Sequence, residues 1–302
     1  MRPYGILLLL GMLLFGPAAF AEEMPAEKIL SFADHLFEQG DYYRAITEYE
    51  RVIFFYPDHP LARTARFQIA SAYLKGDRLD QAIERFRAIN QDLPGETLGR
   101  RAYFMLGEAY LQKREYDRAA DVFSSYIERY PGDERADAAR IKLGWSYLRQ
   151  GKWRQASEEF QKLPPDSPLH AQAEGLAGES LSYPDIPKKS PTLAGGLSAV
   201  LPGAGQLYVE RPGDALVSFL LNGAFIWATV EAFHNDNKVT GGILLFFEAG
   251  WYLGNIYNAV GGAYKYNRRS EQQFMDGLQG RYGIAYFHDG SGRNMVGLTM
   301  RF

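Results

Sequence analysis

From about residue 25 the apolar positions recur at offsets of 1, 3 and 4, the spacing of one buried helix face. Phe32, Ala33 and Leu36 open the pattern; Ile69, Ala70 and Tyr73, then Leu106, Gly107 and Tyr110, then Leu143, Gly144 and Tyr147 repeat it at 37-residue steps. A second stripe keeps the same period and sets a small residue one turn before an aromatic: Ala45 and Tyr49, Ala82 and Phe86, Ala119 and Phe123, Ala156 and Phe160. Pro57, Pro94, Pro131 and Pro168 close the units, because a proline ring cannot continue the helical hydrogen-bond ladder. The pattern predicts four helical hairpins over about residues 25–181, the last followed by a capping helix near Leu169 to Ser182.

Farther on the pattern changes. Residues 215–233 and 239–264 carry one charge each, Glu231 and Glu248, and each run is long enough to cross hydrocarbon as a helix. The second run sets Gly242, Gly250, Gly254, Asn258 and Gly262 on one i+4 row, a smooth face for close helix packing or for self-association through Gly250 and Gly254. Asn222, Glu231, Glu248 and Asn255 are costly in lipid, which implies polar pairing, a position near the span ends, or proton and ion work. Ahead of both runs, residues 192–208 read as a short or re-entrant element containing Pro202, Gly203, Gly205, Gln206 and Tyr208. At the end, residues 282–287 and 295–302 flank Asp289-Gly290-Ser291-Gly292 as a β-hairpin.

Charge sharpens the division. Residues 22–191 hold 52 charged side chains in 170 and residues 192–266 hold 8 in 75, so a soluble part precedes a membrane-associated one. Between them the prolines of residues 184–191 predict an extended linker. Residues 1–21 have Arg2, an apolar run from Ile6 to Phe15 and Ala19-Phe20-Ala21, the pattern of a cleaved export signal. The expected organisation is a leader at 1–21, a repeat domain at 22–183, a linker at 184–191, a hydrophobic helical region at 192–266, and an amphipathic segment with a hairpin at 267–302. The fold class is mainly α, a helical-hairpin solenoid followed by a glycine-rich membrane region and a short hairpin.

Composition removes several function classes. A net charge of -3 offers no basic excess for nucleic acid, and the lack of cysteine excludes disulfides, thiolate metal sites and a lipid-modified N-terminal cysteine. His35, His59, His170, His234 and His288 stand apart without metal-ligand spacing, and Ser291 sits in a turn sequence and not in a nucleophile elbow. No catalytic constellation, metal or cofactor is expected.

Leu106-Gly107-x2-Tyr110, Ala119-x3-Phe123 and Pro131 resemble the tetratricopeptide repeat family, whose usual unit of about 34 residues is lengthened here to 37. With Tyr56-Pro57 and Tyr130-Pro131, the longer unit is similar to bacterial envelope relatives such as the outer-membrane assembly lipoprotein BamD and the Tol-Pal-associated coordinator. Residues 202–208 resemble a small bacterial membrane domain marked by Pro-Gly-x-Gly-Gln-x-Tyr. The resemblance implies a partner-binding groove along the first helices, here at Asp34, Glu38, Phe67, Ser71, Lys75, Arg101, Phe104, Glu108, Gln112, Trp145 and Arg149. Phe67, Phe104 and Trp145 are its expected apolar anchors. The function expected is a membrane-tethered scaffold in the periplasm that takes an envelope protein as partner and lipid as anchor, with the inner membrane preferred to the outer. The alternative is an oligomeric transport or insertion component whose glycine-rich helices form the membrane path.

Overall fold

The computed structural model describes residues 24–282, 284–288 and 294–298. The export signal expected at 1–21 and the turn of the C-terminal hairpin lie outside them. The described residues fall into two compact units that part between Gln150 and Gly151.

In the first unit, α1 (Ala26–Glu38), α2 (Tyr42–Phe55), α3 (Pro60–Lys75), α4 (Leu79–Asp92), α5 (Thr97–Gln112), α6 (Tyr116–Arg129) and α7 (Ala136–Arg149) each pack on the next in sequence. The turn inside each hairpin is the same, although the residues differ. Gly40, Asp77 and Arg114 all take positive φ, 79°, 59° and 64°, and the N–H of the next residue donates back to the carbonyls of Leu36, Tyr73 and Tyr110. This is a left-handed C-terminal cap of the Schellman type, repeated every 37 residues. An ordinary side chain there costs on the order of 1 kcal/mol, so the turn at Asp77 and Arg114 is imposed by the packing of the helices it joins.

The core is the small-plus-aromatic stripe. Ala45, Tyr49, Ala82, Phe86, Ala119 and Phe123 are each fully buried. Where α5 crosses α6, a Cβ on Gly107 would stand 2.6 Å from Phe123 Cζ, so glycine is required by the closeness of the crossing.

The second unit contains α8 (Trp153–Gln161), α9 (His170–Leu181), a 3-10 turn (Tyr183–Asp185), α10 (Pro191–Val200), α11 (Ala204–Tyr208), α12 (Pro212–His234), α13 (Lys238–Tyr282), β1 (Ile284–His288) and β2 (Asn294–Leu298). The strands pair antiparallel, Ile284 opposite Leu298 and His288 opposite Asn294. Residues 192–208, read as one short element, are the two helices α10 and α11 joined by a turn at Gly203. Its φ is +90°, and a Cβ there would meet the Ala215 carbonyl oxygen at 2.3 Å.

Two expectations change. Among the described residues one helix, α12, is long and apolar enough to cross a membrane. The second apolar run lies within α13, a continuous helix of 45 residues whose glycine, asparagine and tyrosine lower its hydropathy. The two compact units also part at Gln150 and not at the proline-rich segment 184–191. The end of α13 packs on α8 and α9: Trp153 stacks on Tyr183 at 3.7 Å with Phe274 edge-on to both, Gln172 Nε2 donates to the Tyr282 carbonyl, and Arg281 pairs with Glu179.

Overpacking a close crossing costs about 1–3 kcal/mol. Gly107→Ala is therefore expected to lower the melting midpoint of the full chain, whereas Gly132→Ala, with nothing within 4 Å of the new methyl, should leave it unchanged. Equal midpoints in thermal unfolding would show that the repeat register is misplaced.

Candidate functional site

The first-helix face of the first unit is the candidate site, and its residues fall into three groups. Phe67 and Phe104 belong to the core: they are 2% and 3% exposed. Phe67 meets Phe86 edge-on at 5.5 Å, and 37 residues later Phe104 meets Phe123 at the same 5.5 Å. They cannot serve as open anchors. The middle helices of a stack are covered from both sides, so their buried stripe is wider than one helix face, and a position that periodicity leaves outside the core is drawn into it.

A second group ties successive hairpins together. Asp34 accepts from Tyr49 Oη at 2.6 Å and from Gln68 Nε2 at 3.4 Å. Glu108 pairs with Lys142 at 3.0 Å, again 34 residues on. Gln112 donates to Asp77 Oδ1 at 3.2 Å, and the Ser71 hydroxyl donates to the Phe67 carbonyl within its own helix. Gln68 and Lys142 were not singled out from the sequence; the signal was present as an acid followed 34 residues later by a donor. Burial, and then the hydrogen bond to Asp34, pushes the Tyr49 hydroxyl far above the usual range, which keeps it a donor.

The third group lies at the surface. Glu38, Lys75 and Arg149 are exposed and Trp145 is half-buried. Arg101 is unusual among the cations of this face: its guanidinium lies 4.5 Å above the Phe67 ring, and its Nε is buried without a hydrogen-bond partner. Burial first, and Arg135 second, pull its pKa below the ordinary arginine value.

Two family profiles, both described as tetratricopeptide repeat, match this chain, one at residues 30–96 and 96–134 and the other at 138–164. These units are tetratricopeptide repeats. Solved structures similar to the chain include nearly identical TPR-like repeats of a putative kinesin light chain from Podosopora anserina, at 14% identity over 53% of this chain and 88% of that one, with a TM-score of 0.44. A tetratricopeptide repeat protein from Parabacteroides merdae is 12% identical over 84% of this chain and 98% of that one, with a TM-score of 0.43. These likenesses are too distant to speak to function. No curated protein matches the chain significantly. Tetratricopeptide repeats are in general surfaces for binding other proteins, and Trp145, Arg101, Glu38 and Lys75 are the residues of this face best placed for such a role.

In the second unit the polar residues separate in the same way. Glu231 is exposed and accepts from Asn235 at 2.8 Å. Asn222 on α12 and Glu248 and Asn255 on α13 are buried. The glycine row is divided as well: Gly262 lies under Val209 and Asn258 accepts from Arg211, while Gly242, Gly250 and Gly254 have nothing within 4 Å of a Cβ. No group of three metal-ligating side chains occurs among the described residues.

Truncating a buried phenylalanine costs about 3–5 kcal/mol. Phe104→Ala is thus expected to lower the melting midpoint of the whole chain steeply, and Trp145→Ala to change it little; the reverse order in thermal unfolding would restore Phe104 to the surface. A second expectation concerns Asp133. Burial works to raise its carboxyl pKa, but the Tyr126 hydroxyl, the Arg135 N–H and the Arg100 guanidinium outweigh it and hold the group below the ordinary 3.8. A carboxyl depressed in the folded state stabilises above its unfolded pKa, and the stabilisation disappears as pH falls through the folded value. Acid titration of stability should therefore show a loss below about pH 4 that Asp133→Asn flattens.

Proposed function

We propose that this chain is a non-enzymatic scaffold of the cell envelope: exported, held to a membrane by its second half, and binding a protein partner on the first-helix face of its tetratricopeptide repeats. The observation that carries the membrane part is the outward face of α12. Leu216, Phe219, Leu220, Trp227 and Val230 are exposed, whereas the buried residues of the helix are the polar Asn222 and Thr229. A helix with polar residues inside and large apolar residues outside is arranged for a hydrocarbon solvent. Phe246, Phe247, Trp251 and Leu253 extend the same exposed apolar surface onto α13.

The partner face supports a segment with both apolar and acidic groups. Trp145 offers the half-buried aromatic surface typical of interface anchors. Arg101, with Nε unpaired and its guanidinium on an aromatic ring, is suited to a carboxylate from the partner. Asp34 and Glu108, engaged with neighbouring helices, shape the face more than they contact a ligand.

Membranes carrying the full-length protein, washed with alkaline carbonate, are expected to retain it in the pellet; release into the supernatant would remove the membrane reading. For the partner face, crosslinking of the intact protein followed by titration of the captured partner should show Trp145→Ala weakening binding by about thirtyfold, the cost of a ~2 kcal/mol anchor. Lys75→Ala should act mainly on the association rate and its salt dependence. Undiminished affinity in a normally folded Trp145→Ala protein would move the binding surface elsewhere.

A further inference from the structure

The Pro-Gly-x-Gly-Gln-x-Tyr segment sets up a chain of hydrogen bonds with a fixed direction. Gly205 N–H donates to Ser198 Oγ at 3.1 Å, and the Ser198 hydroxyl donates to Gln206 Oε1 at 2.9 Å. An amide whose oxygen is engaged in this way turns its nitrogen outward, and Gln206 Nε2 donates to both oxygens of Asn255, main-chain at 3.0 Å and Oδ1 at 2.5 Å. Asn255, accepting through its oxygen, is left with Nδ2 as a donor that has no acceptor, although the residue is only 6% exposed. A buried donor in that state is destabilising unless something supplies an acceptor.

Asn255 lines a cleft between α12 and α13 of about 750 Å³, a size within the ~300–1,000 Å³ of small-ligand sites. Gly250 and Gly254 also line it, and because no atom lies within 4 Å of either Cβ position, they open a trough where other residues would raise a ridge. The chemistry changes in order along the trough. At the start of α12 stand Asp214 and Asn258, both held by Arg211. Ser218 and Asn255 come next, and Trp251 and Phe247 lie beyond them. From residue 258 to residue 247 the helix rises about 16 Å at ~1.5 Å per residue. A charged end, a hydrogen-bonding middle and an aromatic far end match an amphiphile whose headgroup lies at the border of the span.

We infer that this cleft binds one glycerophospholipid, with an acyl chain over Gly250 and Gly254, an ester carbonyl accepting from Asn255 Nδ2, and the headgroup beside Arg211 and Asp214. The inference rests on the membrane reading above. A second copy of the chain fits the site less well, since the backbone carbonyls of a helix are engaged in its own ladder and cannot reach a donor so deeply set. An ester carbonyl on a flexible chain can.

The test uses the full-length protein, first checked by carbonate washing, then extracted in mild detergent, supplied with palmitoyl-oleoyl phosphatidylethanolamine and weighed intact by native mass spectrometry. The parent is expected to carry one lipid per chain. Gly254→Leu, which fills the trough without touching the hydrogen-bond chain, and Asn255→Asp, which keeps the oxygen for Gln206 but removes the donor, should each lower lipid occupancy by about tenfold. Gly223→Leu, equally open but outside the cleft, should leave it unchanged. Parental occupancy in Gly254→Leu, or a lipid-free dimer that Gly254→Leu dissociates, would overturn the lipid site while the membrane reading stands. Release by carbonate, seen before any lipid is counted, would overturn both.

Discussion

Each hairpin of the repeat domain is built on the closest approach two helices can make. Ala33, Ala70 and Gly107 on the first helices, and Ala45, Ala82 and Ala119 on the second, keep side chains out of the crossing, and the aromatic one turn later fills the space above it. Once that distance is set, little else is free. The connecting turn must double back within three residues, which places Asp77 and Arg114 in a left-handed conformation that glycine alone would adopt without cost. The next helix must cover the aromatic, and Phe67 and Phe104 are drawn inward to complete the same edge-on contact in consecutive units. Polar residues are recruited at the seams between units, as Arg63 with Glu96 and Arg100 with Asp133, each 33 residues apart.

That constraint also explains what could be read from the sequence. A crossing that tolerates only small residues, repeated at one period, leaves a mark that neither composition nor drift obscures, so the hairpins and their core were legible. The width of the buried stripe was not. Periodicity identifies the direction a face points but not how many neighbours cover it, and Phe67 and Phe104, four residues ahead of Ser71 and Glu108, looked like open anchors of a groove when they lie beneath it. Partnership was equally hidden: Asp34 and Glu108 read as exposed acids, and the Gln68 and Lys142 that engage them lie one unit away, a distance that no local window spans.

The proline-rich segment 184–191 shows a different limit. Its composition reads as a spacer, and the charge density does change there, yet the backbone is clasped: Lys189 N–H donates to Asn267 Oδ1 at 2.7 Å, and Asn267 Nδ2 returns a bond to the Lys189 carbonyl at 2.9 Å. Lys189 Nζ then lies 5.1 Å from the rings of both Tyr208 and Tyr266. Charge density reports the solvent a segment meets, and says nothing of what packs across it. The last two helices of the repeats therefore share a compact unit with α13.

The continuity of α13 gives that arrangement its consequence. Forty-five residues in one helix span about 68 Å, and the same rod borders the apolar cleft at Gly250 and Gly254 and ends against Trp153, Tyr183 and Glu179. Its glycines carry no bend of their own when the helical hydrogen bonds continue past them; what they remove is side-chain bulk, on the open side at Gly250 and on the covered side at Gly262 beneath Val209. A displacement of the apolar end has no flexible joint in which to dissipate before it reaches α8 and α9. The extended linker expected from the prolines would have let the two halves act separately. The clasp at Asn267 and the helix that carries it make the apolar hairpin of α12 and α13 and the last repeat helices one mechanical piece.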